Sequence, residues 1–153
     1  MDTHMSHKHY VHLLVMTVLS FLSMYVLMYA MVNSFANVYS NFNQFYMAGL
    51  MTAPMVIIEL SLMGAMYPNK QWNAIILGMS VIALVGFFAL IRQQTAITDK
   101  QFLRSMIPHH AGAILMCEQA SIQDPEIKEL CKAINSSQQS EIERMKTKLT
   151  ELK

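Results

Sequence analysis

The chain has 153 residues, 54% hydrophobic and only 14% charged, with a formal net charge of +1. That length allows one or two small domains. The basic residues of the last third are interleaved with acidic ones, which excludes the concentrated basic face of a nucleic-acid-binding protein. Between Val11 and Ile91 the only formally charged side chains are Glu59 and Lys70, so this part of the chain reads as a membrane portion.

The tail from Met1 to His12 carries His4, His7, His9 and His12 with Met1 and Met5. It reads either as a loose metal-binding tail or as a solvated segment whose histidines meet nothing in particular. Three segments of spanning length follow: residues 10–32, 44–66 and 72–91. The apolar stretch of the first is longer than a signal-peptide core and no A-x-A-like cleavage site follows it, so it is expected to be a helix of the mature protein. Tyr10, Tyr39, Tyr46, Tyr67 and Trp72 fall near the expected ends, where amphipathic rings favour the membrane interface. Lys8 and Lys70 flank one side, while the linker of residues 33–43 carries no charge on the other. The positive-inside rule then puts the N-terminus in the cytoplasm and, after three crossings, the C-terminal part outside; Arg92, Lys100 and Arg104 pull the other way. The expected setting is a bacterial inner membrane with the C-terminal part in the periplasm. Tyr67-Pro68-Asn69-Lys70 is a turn between the second and third spans.

After Ile91 the pattern becomes amphipathic, and a domain boundary is expected between residues 1–97 and 98–153. Thr98-Asp99-Lys100-Gln101 has the form of a capping box and predicts a helix to about Ser121. Pro108 lies inside it, removes one backbone hydrogen bond and predicts a kink before the two histidines. Asp124-Pro125 is an N-cap and first-turn pair opening a second helix. Ile127, Leu130, Cys131, Ile134, Gln138, Glu141, Ile142, Met145, Leu149 and Leu152 form its stripe. The fold class expected is all-α: three transmembrane helices, then an αα-hairpin. Two such helices bury little core alone, so a homo-dimer or higher homo-oligomer that completes a four-helix bundle is expected.

Residues 106–117 crowd soft ligands into about three helical turns. Met106, His109, His110, Met116 and Cys117 share one arc around small Ala113, and thioether, thiol and imidazole together select Cu(I) over hard cations. The antiparallel return brings Gln138, Glu141 and Met145 level with Met106 and His110, and Cys117 level with Cys131. Glu141 suits orienting a histidine better than ligating the metal. The two cysteines allow a disulfide, free thiols or metal ligation. The alternative is that Met and Cys pack a core and the histidines meet ordinary hydrogen-bond partners.

Met47, Met51, Met55, Glu59 and Met63 recur at spacings of three or four through the second span, with Met66 beyond them. Glu59 is expected near mid-bilayer, where a carboxylate is costly and faces a bundle interior, a polar partner or an ion path. Two readings stand: a thioether-lined Cu(I) path beside Glu59, or methionine packing with Glu59 held by a neighbouring polar side chain.

The run Asp99 to His110, followed by Ala113, Met116, Asp124-Pro125-Glu126, Gln138, Glu141-Ile142 and Met145, resembles domain-of-unknown-function family 305. The resemblance covers about the last third of the chain. It implies a ferritin-like helical bundle, association with copper binding and tolerance, and metal roles for Met106, His109, His110, Met116 and Met145. This chain departs from the family pattern in having a single helical hairpin and three preceding spans.

The expected function is therefore a membrane-anchored protein, not an enzyme, that holds or relays Cu(I) in copper homeostasis or tolerance. Its expected partners are membrane lipid, a second copy and a copper chaperone or exporter. The alternatives are a metal-free structural or partner-binding membrane subunit, and a ferritin-like di-metal oxidase. The oxidase is disfavoured because the hairpin supplies no Glu-x-x-His pair.

Overall fold

The structure is a computed structural model that describes the backbone of residues 3–152 and the side chains of residues 8–152. Met1, Met5, His4 and His7 of the expected metal-binding tail lie outside the described side chains. Among the described residues the chain is all-α, as its apolar and amphipathic patterns predict, with five helices. They are α1 (Thr3–Leu27), α2 (Phe42–Met63), α3 (Lys70–Gln93), α4 (Asp99–Gln119) and α5 (Pro125–Glu151). Two compact units divide the chain: Met1–Leu27 with Asn43–Thr95, and Met28–Phe42 with Ala96–Lys153.

Three helical stretches are long and apolar enough to cross a membrane, Lys8–Met31, Phe42–Met66 and Lys70–Gln93, and all but their residues 28–31 and 42 fall in the first unit. Each starts a little before the span expected from the sequence, because the helices continue into their polar ends. α2 carries the buried face of the unit, with Tyr46, Ala48, Gly49, Thr52, Ala53, Val56 and Leu60 buried along it. Val56 and Leu60 pack with Leu13 of α1 and with Tyr67. Asn69 starts α3 by accepting the N–H groups of Gln71 and Trp72, which satisfies donors that a helix start leaves open. At the other end of α3, Asn43 and Gln94 form a reciprocal amide pair at 3.1 Å, and Tyr46 Oη donates to Thr95 O at 2.9 Å.

The second unit is the helical hairpin together with the linker between the first two spans, which a boundary after residue 97 leaves with the membrane part. Ile107, Ala111, Ile114 and Ile142 form its buried layer, and Val32 and Tyr39 of the linker pack against it with Met145 and Leu149. Pro108 explains part of this arrangement. A proline at position 108 cannot donate to the carbonyl of Arg104, and that oxygen instead accepts from Asn41 Nδ2 of the linker at 3.5 Å. α4 runs unbroken through Pro108. The end of the first apolar stretch also comes close at Gly112, where a Cβ would stand 3.5 Å from Met31 O.

The expected capping box does not form. Thr98 makes no side-chain cap, and Gln101 Oε1 accepts instead from the Phe42 N–H at 3.1 Å, because the linker recruits that amide. Asp124 does cap α5, accepting from the N–H groups of Glu126 and Ile127 at 2.9 and 3.0 Å. Cys117 and Cys131, equally far in sequence from this cap, are joined by a disulfide with their Cα atoms 5.3 Å apart.

Two outcomes check this construction. Replacing both cysteines by serine releases a crosslink that closes a 14-residue separation, and denaturant unfolding should show a loss of about 3 kcal/mol in the hairpin. Asn41→Ala leaves the Arg104 carbonyl without its donor and should cost about 1 kcal/mol in the same measurement.

Candidate metal site

The antiparallel return of α5 along α4 puts Met106 and His110 opposite Met145 and Glu141. These four side chains line one cleft of about 420 Å³, together with Phe102, Leu103, Arg144 and Lys148. The spacing explains the gathering. Met106 and His110 are four apart on α4, Glu141 and Met145 four apart on α5, and residues four apart share a helix face. Two thioethers and one imidazole therefore meet beside one carboxylate.

His110 is the buried member, with 11% of its side chain exposed. Its Nδ1 lies 3.1 Å from Glu141 Oε2, yet the carboxylate stands off the line of the ring N–H, so this buried nitrogen has no aligned hydrogen-bond partner. Ser137 Oγ donates to Glu141 Oε1 at 2.8 Å and fixes the carboxylate one turn along α5. Burial lowers the pKa of His110; the Glu141 carboxylate opposes that shift and His109 adds to it. The imidazole is thereby biased to its neutral form.

The other expected residues are placed differently. His109 is exposed, with its ring centroid 6.0 Å from that of His110. Met116 is 53% exposed and does not line the cleft. Cys117 is bound to Cys131 and so offers no thiolate, which corrects its expected place among the soft ligands; its nearness to the hairpin turn brings it to the other cysteine before any metal. Ser137, Arg144 and Lys148 were not singled out from the sequence. Ser137 precedes Glu141 by one turn and Arg144 and Lys148 flank Met145, so the period of α5 carried that signal. Among the described residues no group of three or more His, Cys, Asp or Glu side chains stands close enough to hold a metal ion. A site in this cleft therefore depends on its thioethers.

In the first unit, Met47, Met51 and Met63 are exposed, and Met55 and Glu59 are half-buried. The methionine stripe thus lies away from the buried face of α2. Glu59 accepts from Tyr67 Oη at 3.1 Å, a tyrosine partner of the kind that the packing alternative requires. It sits one turn from the end of α2, not at the centre of the span.

Three helices long and apolar enough to cross a membrane stand beside a small helical domain closed by a disulfide. A family model described as "Domain of unknown function (DUF305)" matches residues 87–149. A relative, "Uncharacterized protein L153" of Acanthamoeba polyphaga mimivirus, is 35% identical over 144 residues, which is 92% of this chain and 93% of that protein. The chain belongs to the DUF305 family, and its likeness to the viral protein extends through the apolar helices as well as the hairpin. No solved structure matches it.

The lowered pKa of His110 gives a direction for the metal-free protein. The unfolded chain takes up the proton near the ordinary histidine value of 6.5, while the folded chain resists it until lower pH. Stability should therefore fall as pH drops through 6.5 and level off below the folded-state value. Thermal unfolding in detergent between pH 7.5 and 5 measures this slope, and His110→Gln should flatten it.

Proposed function

We propose that this chain is a membrane-anchored binding protein that holds or relays Cu(I), serving copper homeostasis or tolerance. The observation that carries the reading is the meeting of Met106, His110 and Met145 in one cleft built by two helices. Two thioethers and a neutral imidazole suit Cu(I) and are poor ligands for hard cations. A metal-binding histidine must be unprotonated, and the direction of the His110 shift favours that state. The buried Nδ1 without an aligned partner marks the imidazole as incompletely satisfied by the protein alone. Glu141 Oε2, 3.1 Å from His110 Nδ1, puts negative charge beside the imidazole that a bound cation would offset. His109 and Met116, exposed on the same helix, are the residues at which an incoming ion is first met or handed on to a chaperone or exporter.

Sidedness supports the same picture. The linker and the hairpin form one unit, which supports placing both on one side of the membrane, and three crossings satisfy that condition with the N-terminus on the other side. The disulfide suits an oxidising compartment. A bacterial inner membrane with a periplasmic hairpin meets both conditions. Met116, Ile127 and Leu130 remain about half exposed near the hairpin turn, and a second copy packed there would complete a four-helix bundle.

A metal-free partner-binding cleft is the competing reading, favoured by Arg144 and Lys148, whose positive charges line the same cleft and oppose a cation. Anaerobic Cu(I) titration of the full chain against a chromophoric chelator separates the two. Met106→Leu/His110→Ala/Met145→Leu should weaken binding at least tenfold, while His109→Ala/Met116→Leu retains most of it. Equal loss in both variants moves the site along α4. No binding by the unmodified chain leaves the partner-binding reading standing.

A further inference from the structure

A second cleft, of about 470 Å³, lies within the first unit between α1, α2 and α3. Its ends are Tyr10 and Ile76 on one side and Phe21 and Phe87 on the other. Eleven residues of α1 separate Tyr10 from Phe21, about 16 Å of helix at the usual rise. That is the depth of one leaflet of a hydrocarbon core about 30 Å thick.

The lining is apolar in effect as well as composition. The three aliphatic hydroxyls in it are turned to their own helices: Thr17 donates to Leu13 O at 2.7 Å, Thr52 to Ala48 O at 2.7 Å and Ser80 to Ile76 O at 2.8 Å. The cleft thus asks its occupant for no hydrogen bond from these groups. At the deep end a Cβ on Gly49 would run into the Phe87 ring, so that glycine lets the ring close the groove.

The mouth is polar and fixed. Tyr10 Oη accepts the Asn69 N–H at 3.2 Å and donates to Asn73 Oδ1 at 2.7 Å, while Asn73 Nδ2 donates to Tyr67 O at 2.9 Å. Lys8, two residues before Tyr10, and Lys70, next to Asn69, are exposed at this end. Among the described residues neither lysine is in an ion pair. Glu59 is the only carboxylate among the described residues of this unit, and Tyr67 engages it. A phosphate held at this collar would meet uncommitted positive charge.

We propose that the cleft between α1, α2 and α3 holds one acyl chain of an anionic phospholipid, whose headgroup is met by Lys8 and Lys70. The groove matches the chain in length and apolarity, and the collar matches the headgroup in charge. This site is independent of the metal reading.

Native mass spectrometry of the full-length protein in detergent, titrated with dioleoylphosphatidylglycerol or dioleoylphosphatidylcholine, tests it. One phosphatidylglycerol should be retained in preference to phosphatidylcholine. Lys8→Gln/Lys70→Gln should cut that preference roughly fivefold per lysine removed, and Ala83→Phe, which fills the groove, should remove the retained lipid. Equal retention of both lipids, or retention unchanged by either variant, overturns the proposal. So does a dimer that Ala83→Phe converts to monomer while the lipid adduct persists, because the occupant is then a second copy. Should Ala83→Phe fail to fold, the lysine variant, confined to exposed positions, still decides.

Discussion

The antiparallel register of α4 on α5 is the constraint on which the second unit depends. The buried layer of Ile107, Ala111, Ile114 and Ile142 can form in one register only, because sliding one helix past the other would expose isoleucine and bury the polar face of α5. The Cys117–Cys131 bond, close to the turn, holds the same alignment from the other end. Once the register is set, His110 must stand beside Glu141 and Met106 must share a cleft with Met145. The chemistry of the cleft is thus a consequence of packing elsewhere in the hairpin.

The linker between the first two spans is the second dependency. Pro108 leaves a carbonyl without its helical donor, and a buried acceptor without a partner is costly; Asn41 supplies that partner. Gln101, Gly112 and the apolar contacts of Val32 and Tyr39 bind the same segment to α4. The hairpin domain is therefore discontinuous in sequence, with α2 and α3 inserted between its parts. A proline that reads as a helix defect is met by a partner more than sixty residues earlier in the chain.

Much of this was legible without coordinates. Long apolar runs mark the three helices of spanning length because apolar length is read directly from the chain, and Asp124-Pro125 marks the start of α5 because cap and first-turn chemistry are local. The approach of Met106 and His110 to Glu141 and Met145 was legible too, since an antiparallel return fixes which residues come level. The capping box was misread, since Gln101 has more than one donor within reach and the choice belongs to the linker. The grouping of Cys117 with Met106 and His110 failed for a related reason: residues on one helix arc share a direction, but a site also needs equal height along the axis.

The sequence by itself determined the helices, the apolar length of three of them and the set of soft donors, because periodicity, capping and apolar length are properties of neighbouring residues. The tertiary structure decided which donors meet. It buried His110 and left His109 outside, drew Cys117 into a disulfide, turned the α2 methionines away from the buried face and folded the linker onto α4. Those outcomes depend on contacts between segments far apart in the chain, where a change of one residue in register turns a side chain by about 100° and exchanges one neighbour for another.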